Sequence, residues 1–135
     1  LTMEQAPPHY YGIIILDAFS SDSIPVHLLT KEAVRLYFSK LTKDGVLLVH
    51  ITNRYVNLAP VMAKIAEENG FAARLCDDEE DYEIGKDGST WVLLAQSEKD
   101  FGGLSRKSDW TKIESKKVVN VWTDDFSNIL SVFKW

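Results

Sequence analysis

Tyr10-Tyr11-Gly12-Ile13-Ile14-Ile15-Leu16-Asp17-Ala18-Phe19-Ser20-Ser21-Asp22-Ser23-Ile24-Pro25 is the stretch that decides the fold. An unbroken apolar run ends in a carboxylate, and a serine-rich loop with a second carboxylate follows. The run predicts a strand over 13–16, and its apolar character on both faces suits a strand buried in a parallel sheet. In open α/β sheets, chemistry gathers just past the carboxyl ends of such strands, which is where Asp17 stands. Pro25 and the serines predict an irregular, exposed loop over 18–27.

Downstream, Thr30 suits the N-cap of a helix reaching to about Leu41, with Ala33, Val34, Tyr37, Phe38 and Leu41 on one face. Asp44-Gly45 marks its end. A second buried strand is expected over 46–49, and His50, Asn53, Arg54 and Tyr55 fall in the loop past it, on the rim that carries Asp17. Asn57 can cap the next helix, with Pro60 in its first turn and Val61, Met62, Ile65 and Ala66 on its apolar face. Gly70 stops that helix. Strands follow over 71–76 and 91–95, joined through an acidic loop. The first crossovers suit parallel neighbours, and the last pair an antiparallel excursion at one edge. Beyond Ser97 the pattern weakens. Trp110 and Ile113 are the expected anchors there, and Thr123-Asp124-Asp125 could cap a last short helix carrying Phe126, Ile129, Leu130 and Phe133. The expected organisation is a sheet domain over 1–97 with an extension over 98–135 packing on it.

The chain has 135 residues, enough for one domain with its own core, and 26% of them are charged. A net charge of −5 argues against nucleic-acid binding, which needs a basic face, and is compatible with a cationic ligand. Cys76 is the single cysteine, which excludes an internal disulfide and fits a reducing compartment. No apolar run approaches the ~20 residues that cross a membrane, and a cytoplasmic setting is expected. His9, His27 and His50 lack metal-ligand spacing, so no metal is expected. The opening residues and the interrupted apolar pattern at Trp135 suggest a fragment of something longer.

The strand ending in Asp17, the serine-rich loop with Asp22 and Pro25, Leu29-Thr30-Lys31-Glu32 opening the helix, and Asp44-Gly45-Val46-Leu47 leading into the next strand carry a resemblance. Over roughly residues 10–97 the chain resembles the C-terminal half of the spermidine synthase-like aminopropyltransferases, within the S-adenosylmethionine-dependent methyltransferase folds. Thr123-Asp124-Asp125-Phe126 is similar to endings in such proteins, some fused to transporter-like membrane segments. The resemblance implies an α/β fold: a partial Rossmann-like sheet, parallel with an antiparallel edge strand, flanked by helices. It implies transfer of an aminopropyl or methyl group from S-adenosylmethionine, or its decarboxylated form, to a small-molecule amine. In that family the two loop acids sit closer together, as Asp-Ser-Ser-Asp before Pro, whereas Asp17 and Asp22 are five apart. The glycine-rich turn, the acidic ribose partner and the adenine-contacting segment are absent. They are expected upstream of Leu1, which would leave the isolated chain inactive.

The resemblance casts Asp17 as the acid/base or orienting group for the amine. Asp22 would hold the far ammonium of a diamine, Ser20 and Ser21 would line the same loop, and Tyr82 would contact substrate. Asn53 and Tyr55 join them as substrate-binding candidates by their place past the second strand. Asp124 and Asp125 are candidates for helix capping or for closing the site. The competing reading is a non-catalytic binding or dimerisation module, with a second copy of this chain as the partner in a homodimer. Its interface would form around Trp110, Trp122 and Trp135, with an open sheet edge seeking a partner.

Overall fold

The structure is a computed structural model that describes residues 3–17, 25–53, 55–79, 82–83, 85, 87–113 and 119–132. Among the described residues five strands form one sheet: β1 (Tyr11–Leu16), β2 (Leu41–His50), β3 (Ala72–Asp78), β4 (Ser89–Ala95) and β5 (Thr111–Lys112). Two helices, α1 (Lys31–Lys40) and α2 (Ala59–Asn69), follow β1 and β2 in sequence order. The sheet order is β1-β2-β4-β3-β5. β1 and β2 run parallel, while β4 pairs antiparallel with both β2 and β3.

The α/β class expected from sequence holds, and β5 is an antiparallel strand at one edge; β4, expected in an edge pair with β3, lies inside the sheet instead. β4 follows β3 as its antiparallel partner and then slots in beside β2, separating two strands of common direction. The carboxyl ends of β1, β2 and β3 therefore share one rim with the amino end of β4.

Local signals explain the helices. The Thr30 side chain accepts from Ala33 N at 3.1 Å, capping α1. Three further bonds tie this helix start to a distant segment. Lys31 N donates to the Trp122 carbonyl at 2.7 Å. The Thr30 hydroxyl donates to Asp124, whose own N–H donates to Glu32 Oε2. Asp124 thus serves α1, whereas a cap for the final turn was expected. That turn, Ile129–Val132, is a short 3-10 helix with no room for a long apolar face. At α2 the Asn57 side chain accepts from Ala59 N, Pro60 sits in the first turn, and Gly70 closes the helix at φ 69°.

Both helices lie on one face of the sheet. Val34, Tyr37 and Phe38 of α1 and Val61, Met62, Ile65 and Ala66 of α2 pack with Ile14, Leu47, Val49, Val92 and Leu94. Each fully buried large aliphatic contributes roughly 1.5–3 kcal/mol. Trp122 joins this core with no exposed surface, so it is a packing residue and not the exposed side chain that reading expected. Trp135, the third tryptophan of that reading, lies outside the described residues, as does Phe133 of the expected last helix.

The opposite face is covered in part. Phe101 and Leu104, from the kinked 3-10 segment Glu98–Arg106, and Trp110 pack with Leu93, Ala95, Val46 and Leu48. Nothing described roofs the β1 end of that face. Ile13 and Ile15 are 51% and 57% exposed there, and no described strand pairs with the outer edge of β1. The expectation of a strand buried on both faces is corrected accordingly: β1 is an edge strand with Ile14 turned to the core and its alternate side chains open. No described helix is long and apolar enough to cross a membrane.

Candidate functional site

Parallel pairing brings the ends of β1 and β2 side by side. Leu16 pairs with Val49, so the next residues, Asp17 and His50, meet. His50 Nδ1 lies 2.8 Å from Asp17 Oδ1, with the carboxylate side chain 58% exposed and the imidazole 21% exposed. Asp17 and His50 fall on the same face as Ile13, Ile15, Val46 and Leu48, following the two-residue alternation of a strand. The pair therefore opens onto the partly uncovered side of the sheet.

Behind His50 the network continues. His50 Nε2 is 2.6 Å from Thr52 Oγ1, and that oxygen accepts from Thr90 N at 2.8 Å. Thr90 also receives Ile51 N at its carbonyl, extending the β2–β4 ladder past the strand end. Its hydroxyl donates to Asp77 Oδ1 at 2.9 Å. Trp91, directly opposite His50 in the β2–β4 register, stacks on the imidazole with 4.5 Å between ring centres and 20° between planes. The rim thus carries two carboxylates, Asp17 and Asp77, reached from β2 and β4 by side chains already hydrogen-bonded in place.

The other sequence candidates fare differently. Asn53 is 6% exposed, and its side-chain oxygen accepts from Tyr55 N and Val56 N, which shapes the loop after β2. Tyr55 is 48% exposed beside it, and Tyr82 is 87% exposed. Ser20, Ser21, Asp22 and Arg54 lie outside the described residues. Of the residues named from sequence, the structure joins Asp17 to His50. Thr52 and Trp91 were missed, although the His50–Thr52 spacing is the one that puts two strand residues on the same side. Trp91 could be found only once β4 was placed beside β2.

Among the described residues no group of three or more His, Cys, Asp or Glu side chains is placed to hold a metal ion. Nor do they include a glycine-rich turn between a strand and a helix, the element that a nucleoside-bearing donor would need. What they form is a half-exposed carboxylate fixed by an imidazole, able to bind a cationic nitrogen and accept its proton.

No family model matches this sequence, and no curated protein matches it. Among solved structures, the chain is similar to a probable spermidine synthase from Corynebacterium glutamicum ATCC 13032. The TM-score is 0.54 at 16% identity, over 84% of this chain and 45% of that one. The likeness shows the fold alone, one that this chain shares with that probable spermidine synthase. This chain spans less than half the length of the structure it matches.

Proposed function

We propose that this chain carries the acceptor side of a transferase that moves an aminopropyl or methyl group from an S-adenosylmethionine-type donor to an amine. The observation that supports this best is the Asp17 carboxylate, held at 2.8 Å by His50 at the carboxyl end of β1, on a fold shared with a probable spermidine synthase. The donor supplies an electrophilic carbon next to a sulfonium. This chain's part is to bind the acceptor as an ammonium at Asp17, orient it, and take its proton at the carboxylate so that the nitrogen lone pair is free. Asp22, Ser20, Ser21, Asn53, Tyr55 and Tyr82 remain proposed acceptor contacts. Calorimetric titration with putrescine, S-adenosylmethionine and its decarboxylated form tests the reading. Amine binding that Asp17→Ala abolishes supports it. Binding that is indifferent to Asp17→Ala sinks it.

A second reading is favoured by a separate observation. The outer edge of β1, unpaired among the described residues, and the exposed Ile13 and Ile15 beside it are what an association module presents. That reading predicts concentration-dependent self-association, and a strictly monomeric chain argues against it.

A further inference from the structure

We propose that His50 is a positioning residue for Asp17, held by Thr52 as the neutral tautomer with its proton on Nδ1. One carboxylate oxygen is then occupied by His50 and the other is presented to a cation. The inference rests on the reading of Asp17 as the group that meets the acceptor ammonium, and it adds how that group is aimed.

The argument is a donor count. Thr90 N–H is a donor only, and it is spent on Thr52 Oγ1 at 2.8 Å. With that lone pair used, the Thr52 hydroxyl proton is free to point at His50 Nε2, 2.6 Å away. An imidazole that accepts at Nε2 and is neutral carries its proton on Nδ1, facing Asp17 Oδ1 at 2.8 Å. Every bond in the chain then runs one way, from the β4 backbone through the β2 extension to the end of β1. The imidazolium alternative aims two donors at the Thr52 oxygen, from Thr90 N and from Nε2. It leaves the Thr52 hydroxyl proton without an acceptor among the described residues.

The ring has little freedom to adopt another arrangement. Trp91 stacks on it at 4.5 Å with 20° between planes, and His50 and Trp91 are register partners in neighbouring strands. The carboxylate is 58% exposed at a strand end, where a side chain without a fixed partner would sample several rotamers. His50 removes that freedom.

Charge gives the arrangement its purpose. With a neutral imidazole the Asp17–His50 pair keeps one negative charge to attract an ammonium, whereas an imidazolium would cancel it. Asp17, from the β1 end, is the charged group hydrogen-bonded to His50. On β3, strand alternation puts Asp78 on the His50 face and Asp77, which accepts from Thr90, on the other. All three carboxylates favour a cation at this rim.

The test is nitrogen-15 NMR of the chain labelled at histidine, with the His50 signals assigned through His50→Gln. At neutral pH the expected pattern is a protonated Nδ1 and an unprotonated Nε2. Thr52→Val, which keeps the shape and deletes the hydroxyl, is expected to lose that preference, while Thr52→Ser keeps it. A proton found on Nε2, or a pattern unchanged in Thr52→Val, overturns the proposal. Putrescine titration supplies the second arm. His50→Ala is expected to weaken amine binding about tenfold, as loss of a charge-assisted hydrogen bond would. His50→Gln, whose amide can still donate to Asp17, is expected to recover part of it. Equal loss in both variants overturns the positioning role. If wild-type chain shows the expected tautomer but no Asp17-dependent amine binding, the proposed function fails and the assignment of the His50 proton stands.

Discussion

The Thr30 hydroxyl donates to Asp124 Oδ1 at 2.6 Å, joining residues 94 positions apart. The same oxygen accepts from Ala33 N, so one side chain both caps α1 and fastens the C-terminal segment to it. Thr30→Ala removes a cap worth about 1 kcal/mol and a second hydrogen bond of similar size, for a loss of about 2 kcal/mol. Asp124→Ala deletes only the second and should cost about half as much. Because the two changes share one bond, the double variant should be no worse than Thr30→Ala by itself. Urea denaturation of the four proteins decides this, and additive losses would show that the two residues act independently.

Tyr37 gives stability a pH dependence. Its ring is buried in the main core, its hydroxyl donates to the Leu28 carbonyl at 3.1 Å, and burial raises the phenol above its usual range. The folded chain thus keeps a proton that the unfolded chain releases near pH 10. Its contribution is complete below that pH and is lost as pH rises through the folded value. Tyr37→Phe should cost about 1 kcal/mol at neutral pH through the missing bond and should flatten the alkaline fall in stability. The Lys64 ammonium, raised chiefly by its hydrogen bond to Glu67, also loses its contribution with rising pH. It is common to both proteins, so the difference between their melting curves from pH 8 to 11 isolates Tyr37.

Signals that act over a few residues were legible in the sequence. Thr30 and Gly70 bound their helices where the residue types require, and the run ending in Asp17 is a strand. What sequence could not convey is which strands become neighbours. The apolar run Trp91–Ala95 does not state which strands will flank it, and only a place between β2 and β3 puts Trp91 on His50. The exposure of Ile13 and Ile15 escaped notice for a related reason: an apolar side chain states a preference for burial, and whether anything covers it is decided by other elements. Trp122 misled in the opposite direction. It follows the short run Val119-Asn120-Val121, too brief to announce an element, yet its carbonyl takes the first N–H of α1 and its ring fills the core.

Gly45 tests the irregular start of β2. Between the Tyr11–Leu41 and Ile13–Val46 pairs the register shifts, and the backbone folds tightly on itself. A Cβ at Gly45 would sit 3.0 Å from the Thr42 carbonyl oxygen and 3.1 Å from two Leu41 carbons. Backbone at that distance cannot step aside cheaply, so Gly45→Ala should cost about 1–3 kcal/mol. Gly12→Ala is the control, because nothing lies within 4 Å of the added methyl. Its effect should fall within about 0.5 kcal/mol. Chemical denaturation midpoints compare the two, and equal effects would mean that the Thr42–Gly45 backbone yields.

Ile13 and Ile15 decide whether the open face of β1 is an association surface. Both are more than half exposed, next to a strand edge unpaired among the described residues, while Ile14 between them is buried. Lysine on an exposed edge strand is an effective barrier to strand pairing, because a second copy would have to bury the ammonium or approach its like charge. Ile13→Lys with Ile15→Lys should therefore reduce self-association measured by light scattering on a sizing column, with a change in folding stability of under about 1 kcal/mol. Ile14→Lys is the contrast: it places a charge in the main core and should unfold the chain. A wild-type chain that stays monomeric up to the highest soluble concentration sinks the association reading, and the Asp17–His50 rim on the same face then stands as an open site.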